Sequence, residues 1–299
     1  MSQITVCIPF YKLNLQFLSA AINSVLEQSS DCWQLIIVDG SKDKNNNVQQ
    51  YVKALNKANI GYVKNDQDIS MAGNWNFAVS QAKSEFVTLL HDDDLLAPNY
   101  VEQMLTLVNQ YPNSTAYYCD VKLINSKGNA TWTVADKIKG LLRPNEHISH
   151  LIGDEGLSSL LKGCYIFCPT ICYRKSKITE KMFNKKWQMV ADLQCYVDLL
   201  TSGQLITGVK EKLYCYRRHD ANQTSKLTQT MLRFQEEVAL YDQVTDFAKV
   251  VGWSKSYQAA KQKSIIKMHL LFLLLKSSLF FDFNRAAKVF RYLHTLIKQ

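Results

Sequence analysis

The stretch from Phe86 to Tyr100 constrains this chain more than any other. Phe86 to Leu90 is an unbroken apolar or β-branched run, as a strand buried on both faces requires. Asp92, Asp93 and Asp94 follow at once, and Pro98 then opens a helical pattern with Val101, Met104, Leu105 and Val108 on one face. Strand, acidic cluster and helix in that order put the carboxylates at the carboxyl end of a strand, where open α/β sheets bind ligands. Three adjacent carboxylates repel one another unless a cation or hydrogen-bond donors stabilise them. Mg²⁺ or Mn²⁺ is the natural occupant, held by one or two carboxylates together with substrate phosphates. The competing reading is a solvated acidic loop that caps the next helix.

The segments before this stretch repeat its design. Ile4 to Ile8 reads as a buried strand running into Pro9, and Phe17, Leu18, Ala21, Ile22, Val25 and Leu26 recur with helical spacing. The loop between them, Pro9 to Asn14, contains no Gly. It therefore matches neither a dinucleotide-binding fingerprint nor a P-loop. Tyr11 could stack on a base or simply pack in the loop. Trp33 to Val38 is a second strand, ending in the turn Asp39, Gly40, Ser41. Asp39 could accept hydrogen bonds from a ribose or a base edge, or merely open the turn. A polar helix over Asn47 to Lys57 leads to a third strand, Ile60 to Lys64. Asp68 to Asn76 reads as a polar loop entering a helix, with Gly73 permitting close backbone approach and Asn74 and Asn76 offering amides. A helix N-terminus there favours an anion such as a diphosphate. The resulting β-α-β-α-β-α-β order implies a parallel sheet.

Beyond the acidic cluster, Ala116 to Ile124 alternates and turns at Asn125 to Gly128, which predicts a hairpin or sheet edge. Residues 129–160 lack clear periodicity and read as loop with short helices on the acceptor side. Tyr165 to Tyr173 reads as a further strand. Val190 to Leu200 is helical, with Asp192 at its start and Gly203 ending it. Leu205 to Tyr216 is the final strand, followed by Arg217, Arg218 and His219.

The order and separations of these pieces resemble the family 2 glycosyltransferases of bacterial polysaccharide or lipid-linked glycan type. The likeness covers roughly Ile4 to Ser225. It rests on Pro9 to Tyr11, Ile37 to Ser41, Gly73 to Asn76, Asp92 to Asp94 with Pro98, Ala191 with Asp192, and Tyr216 to His219 followed by Asn222. The resemblance implies a GT-A fold: a Rossmann-like mixed α/β sheet flanked by helices over residues 1–225, with a helical appendage over 226–299. It implies an inverting, metal-dependent transfer from a nucleotide-diphosphate sugar, a UDP-sugar first, to a hydroxyl of a glycan or lipid-linked acceptor. Under it, Asp192 is the base. Pro9, Tyr11, Asp39, Asp68, Gly73, Asn74, Asp92 and Arg218 line the donor site, and Asp93, Asp94 and His219 face Mn²⁺ or Mg²⁺. The chain departs from the family pattern in three places. His91 replaces the first carboxylate of the acidic motif, Ala191 stands where many members have Glu, and Lys12 where many have Asn. A nucleotidyltransferase of similar fold usually carries a Gly-rich first loop, which is absent here. An inactive sugar-nucleotide binder would keep Asp39 and lose Asp192 or the acidic cluster, and both are retained.

The 299 residues suffice for one large α/β domain and a smaller appendage. The eight Cys contain no C-x-x-C, and Met1 leads almost directly into a strand with no secretory signal. Reduced thiols in a cytoplasmic protein are expected, with Cys164, Cys168 and Cys172 buried and not metal-bound. The net charge of +9 is concentrated in the tail: from Lys255 to Gln299, nine Lys and Arg face the single Asp282, leaving that segment at +8. Two helices are expected over Lys261 to Gln299, with Asp282 capping the second. They either pack on the domain or hold it peripherally on the anionic inner face of a membrane. Basic and aromatic residues do not interleave as in nucleic-acid binders, so no nucleic-acid partner is expected.

Overall fold

The structure is a computed structural model that describes residues 3–43, 47–179, 181–219 and 227–298. Three strands, β1 (Ile4–Phe10), β2 (Trp33–Asp39) and β3 (Ile60–Lys64), run parallel, and β4 (Phe86–Leu89) joins β1 in the same direction. Between them lie α1 (Leu15–Leu26), α2 (Val48–Ala54) and α3 (Met71–Gln81). After the acidic cluster come a two-residue strand β5 (Leu95–Leu96) and α4 (Tyr100–Gln110). The chain continues through β6 (Ala116–Asn125), α5 (Val134–Leu142), β7 (Ile148–Leu151), α6 (Gly153–Leu161), β8 (Ile171–Arg174), α7 (Ala191–Thr201) and β9 (Ile206–Arg218). Four helices follow: α8 (Leu232–Val251), α9 (Ser254–Gln262), α10 (Ser264–Leu279) and α11 (Phe283–Lys298).

Among the described residues one mixed sheet runs β3-β2-β1-β4-β8-β6-β9-β5, with β7 pairing β9 off that path. Strand alternation assigns the two faces. Ile4, Val6, Ile8 and Phe10 of β1 bury into a core shared with Leu18, Ile22 and Val25 of α1 and with Val101 and Met104 of α4. Cys7, pointing the other way, joins a second core with Val79 of α3, Leu157 and Leu160 of α6 and Tyr196 and Leu200 of α7. Leu240 and Tyr241 of α8, Leu270 of α10 and Val289 and Leu293 of α11 belong to that same second core. The C-terminal helices therefore complete one face of the sheet.

Several expectations are corrected. β6 lies between β8 and β9, so it is interior and not an edge. Its hairpin survives only as one bridge, Ile124 to Ala130, with the Asn125 side chain accepting the N–H groups of Lys127 and Asn129. Of the stretch from Tyr165 to Tyr173 only the last three residues are strand, as part of β8 (Ile171–Arg174). Pro169, which has no N–H for a ladder, sits in a 3₁₀ turn over Cys168–Thr170 just before it. Residues 129–160 contain the strand β7 as well as two helices. The segment from Asp68 is helical from Met71, with the Ser70 hydroxyl accepting the Gly73 N–H, so Gly73, Asn74 and Asn76 stand on α3 itself. In the tail, Asp282 caps α11 by accepting the Arg285 N–H at 3.1 Å. The eight cysteines are free thiols; Cys172 is buried, while Cys164 and Cys168 are half-buried. Asn222 and Ser225 lie outside the described residues.

If α8 to α11 complete the core, a chain ending at residue 225 will aggregate or unfold without a cooperative urea transition. A soluble truncated chain with a sharp transition would contradict the shared core.

Candidate active site

Because β1, β2 and β4 are parallel, their carboxyl ends present Phe10, Asp39 and the acidic loop along one edge of the sheet. Asp39 is fully buried there. Its Oδ1 accepts the Ser41 N–H at 2.8 Å and lies 3.1 Å from Lys64 Nζ, and its Oδ2 accepts the Tyr62 hydroxyl at 2.7 Å. Burial and this bond both push the Tyr62 hydroxyl up. Pro9 pairs with Val38 inside the sheet, while Tyr11 just beyond β1 is 46% exposed and open to a ligand.

A buried amide organises the neighbouring wall. Asn74 donates from Nδ2 to the Phe10 carbonyl at 3.3 Å and accepts from Asn65 Nδ2 at 3.1 Å. A Cβ on Gly40 would lie 2.7 Å from this side chain, so Gly40 is the residue that admits Asn74. Gly73 plays the same part for Asp68: an added Cβ would stand 2.2 Å from the Asp68 carboxyl carbon. The group approaching Gly73 in the structure is thus Asp68. Its Oδ1 also accepts the Ser70 N–H and hydroxyl, and Asp68 pairs with Lys185. Lys185 first, then Ser70, hold Asp68 down to about 2.

The acidic loop divides three identical residues into three environments. Asp94 is 1% exposed; its Oδ1 accepts the Arg217 N–H at 2.6 Å and its Oδ2 the Tyr214 hydroxyl at 3.0 Å. Burial, then the neighbouring Asp93, raise Asp94 well above the ordinary carboxylate range. Asp93 Oδ2 lies 2.7 Å from His219 Nε2, and its carbonyl accepts from Arg217 Nε at 2.6 Å. Burial pushes Asp93 up, but the His219 bond and the nearby His91 more than reverse that and leave it low. Asp92 is half-buried, and burial together with Asp93 pushes it up to about 7. His91 stacks on Trp75 with ring centroids 5.6 Å apart, and burial holds its imidazole toward the neutral form. His91 Nε2 is buried without a hydrogen-bond partner among the described residues. One ligand atom each from His91, Asp93 and Asp94 lies within 4.8 Å of the others. His91 Nδ1 lies 3.7 Å from Asp94 Oδ2, and clustered carboxylate oxygens with an imidazole nitrogen beside them suit a divalent cation such as Mg²⁺ or Mn²⁺.

Asp192 stands in the first turn of α7, with Oδ1 accepting the Leu193 N–H at 2.8 Å. Burial raises its pKa. Burial pushes the half-buried thiol of Cys168 up, and the charges of Asp192 and Asp94 add to the rise. Lys139 of α5 lies close enough to Asp192 to attract its charge. Arg218 pairs with Asp136 of α5, which is itself bonded by the Thr133 hydroxyl at 2.6 Å. These α5 residues lead into a cleft of about 550 Å³ that also contains Lys122, Lys137, Lys212 and Trp132. Those three lysines and Lys139 have no carboxylate within ion-pair distance among the described residues.

The family model of glycosyl transferase family 2 matches residues 5–183. The chain belongs to this family. An uncharacterized glycosyltransferase of Rickettsia typhi is 25% identical over 284 residues, covering 86% of this chain and 83% of that protein. The Escherichia coli enzyme described as UDP-Glc:alpha-D-GlcNAc-diphosphoundecaprenol beta-1,3-glucosyltransferase is 25% identical across 60% of this chain and 63% of its own. Among solved structures, residues 1–349 of S. aureus TarS in complex with UDP-GlcNAc superpose with a TM-score of 0.61 at 14% identity, covering 96% of this chain and 90% of that one. At that identity the likeness establishes the fold, and the mixed sheet flanked by helices is that of a GT-A transferase.

The structure also brings in residues that the sequence reading did not single out. Arg217 bonds the acidic loop through both backbone and side chain, although Arg218 and His219 were the ones expected there. Glu236 of α8 accepts the N–H groups of Gln188, Met189 and Val190, at 3.0, 2.7 and 3.3 Å, at the start of the helix that carries Asp192. Nothing local in the sequence signals a cap supplied from that distance along the chain.

The divided environments give opposite expectations for neighbouring substitutions. Asp94→Asn puts an amide N–H2 in place of one of the two oxygens that accept from the buried Arg217 N–H and Tyr214 hydroxyl, and should cost about 2–3 kcal/mol in urea unfolding. Asp92 has a folded pKa raised to about 7, so its ionisation opposes folding as pH rises toward that value. In metal-free buffer at pH 8, Asp92→Asn should therefore be at least as stable as the parent protein. Equal losses from the two substitutions would contradict this division.

Proposed function

We propose that this transferase moves a sugar from a nucleotide-diphosphate sugar, UDP-linked in the first instance, to a hydroxyl of a glycan or lipid-linked acceptor, with inversion. The observation that carries the reading is the cluster of His91, Asp93 and Asp94 ligand atoms, within 4.8 Å of one another, in the loop that follows the parallel strand β4. On this reading the acidic loop serves the leaving phosphate, and Asp192, on a separate element, serves the acceptor. Two similar proteins support it: the Escherichia coli relative is a UDP-Glc transferase acting on a lipid-diphosphate sugar, and the S. aureus fold neighbour holds UDP-GlcNAc.

Tyr11 receives the nucleoside against a wall that Pro9, Asn74, Asp68 and Gly73 build, with the buried Asp39 holding the strand end beneath it. Asp92 and Arg218 stand on the diphosphate side. Asp93 with His219, and Asp94 or His91 behind them, are the residues that would hold Mn²⁺ or Mg²⁺. Such an ion supplies positive charge against the phosphate oxygens of the departing nucleotide, worth several kcal/mol.

The acceptor oxygen attacks the anomeric carbon, the bond from that carbon to the phosphate oxygen breaks, and the acceptor proton passes to Asp192. Burial makes Asp192 a stronger base than an exposed carboxylate. Such a base contributes roughly 10²–10⁴-fold in rate. A single displacement from the face opposite the leaving group inverts the anomeric centre. The lysine-lined cleft beside Lys139 receives the acceptor, and its uncompensated cations suit an acceptor that bears phosphate.

Titration calorimetry of UDP with Mn²⁺ tests the donor side: Asp93→Ala should weaken binding at least about tenfold, and equal affinities would sink the metal role. For the acceptor side, Asp192→Asn should retain donor affinity and lose about 10²–10⁴-fold in transfer rate. The rate of the parent enzyme should fall on acidification with an apparent pKa above the ordinary carboxylate range, because Asp192 must be unprotonated to accept. An Asn variant within about threefold of the parent would exclude Asp192 as the base.

A further inference from the structure

The helix α10 is apolar on two sides. Ile266, Leu270 and Leu273 enter the core, whereas Met268, Leu271, Phe272, Leu275 and Leu279 form a second stripe that faces solvent. Their spacing of three and four residues places them on one face of the helix. An all-round apolar helix is normally covered on every side. In α11 the pattern recurs: Val289, Leu293 and Leu296 are buried, and Phe283, Ala287, Phe290 and Ile297 share an exposed face. The turn between the helices adds Phe280 and Phe281, 70% and 78% exposed. Phe281 holds a left-handed backbone, with φ of 57°, unusual for a bulky side chain, and its ring meets Phe283 edge to face. Exposed apolar surface of this continuity marks an interaction site.

The charges around it select the occupant. Lys267 and Lys276 fall on opposite borders of the α10 stripe at roughly 100° per residue, and Lys288, Arg291 and Lys298 border the α11 stripe on the side away from the core. Asp282 is the only acid between Lys255 and Gln299. Two copies meeting through this face would oppose one cationic rim to another. An apolar surface with a cationic border matches the acyl chains and headgroups of an anionic bilayer. Among the described residues no helix is long and apolar enough to cross a membrane, so the contact is interfacial.

We propose that the α10–α11 hairpin docks this protein on an anionic lipid surface, with Phe280, Phe281 and Phe283 entering the headgroup layer first. The inference rests on surface shape and charge and stands whether or not the donor and acceptor assignments hold.

Co-sedimentation of the intact protein with phosphatidylcholine vesicles, with and without phosphatidylglycerol, tests it. The protein should pellet with the anionic vesicles, and raising salt from roughly 0.05 to 0.5 M should reduce binding at least about tenfold. Phe280→Ser, Phe281→Ser and Phe283→Ser combined should lower binding by about tenfold or more while the far-ultraviolet dichroism and melting temperature stay unchanged. Lys276→Glu with Lys288→Glu provides a second, independent variant and should remove the preference for phosphatidylglycerol. The proposal is overturned if the parent protein stays in the supernatant at low salt, if it dimerises and ignores vesicles, or if the folded variants bind as the parent does.

Discussion

The end of β9 is pinned to the loop after β4 by one buried carboxylate. Asp94 accepts the Arg217 N–H and the Tyr214 hydroxyl, and Arg217 returns a bond to the Asp93 carbonyl. A carboxylate buried without donors would cost several kcal/mol, so this arrangement exists only when both segments are in place. The Arg217 guanidinium also bonds the Asn125 carbonyl at the end of β6 and covers the Phe17 ring of α1. Four separate parts of the chain are thereby tied at one point. Because His219 follows two residues later, Asp94 sets where its imidazole meets Asp93.

The late helix is fixed from a different direction. Glu236 occupies the N-terminal end of α7 with its carboxylate, where backbone N–H groups and the helix dipole favour negative charge. Burial raises Asp192 in the first turn of that helix, and the charge of Glu237 adds to the rise. Lys139 offsets part of it. The C-terminal helices thus have a task at the site itself: one of them holds the segment that presents Asp192.

Much of this was legible in the sequence, for identifiable reasons. β1, β2, β3 and β4 are short apolar runs separated by helices, a pattern with few competing interpretations. Asp192 could be located because it follows a loop and opens a periodic segment. The division of labour among Asp92, Asp93 and Asp94 was not legible, since adjacent identical residues are distinguished only by what packs against them. The same applies to Arg217 and Arg218, whose roles depend on which side of β9 each one leaves. Pro169 hid the break in the stretch from Tyr165 to Tyr173, because an apolar run containing one proline resembles an edge strand. β5 and β7 were missed because such short segments become strands only through pairing with β9. Whether the two tail helices pack on the domain or meet a membrane stays open in the sequence, since spacing does not tell which of two apolar faces the core will take.

Under the proposed function, two carboxylate groups on separate elements run a single displacement at the anomeric carbon. Proton nuclear magnetic resonance of the sugar transferred from an α-linked UDP-sugar to a lipid-diphosphate sugar acceptor tests it most directly. Inversion should give a first-formed product with the large anomeric coupling of a β-linkage in a gluco-configured sugar. A product that retains the α-configuration, formed by the intact enzyme, would contradict it.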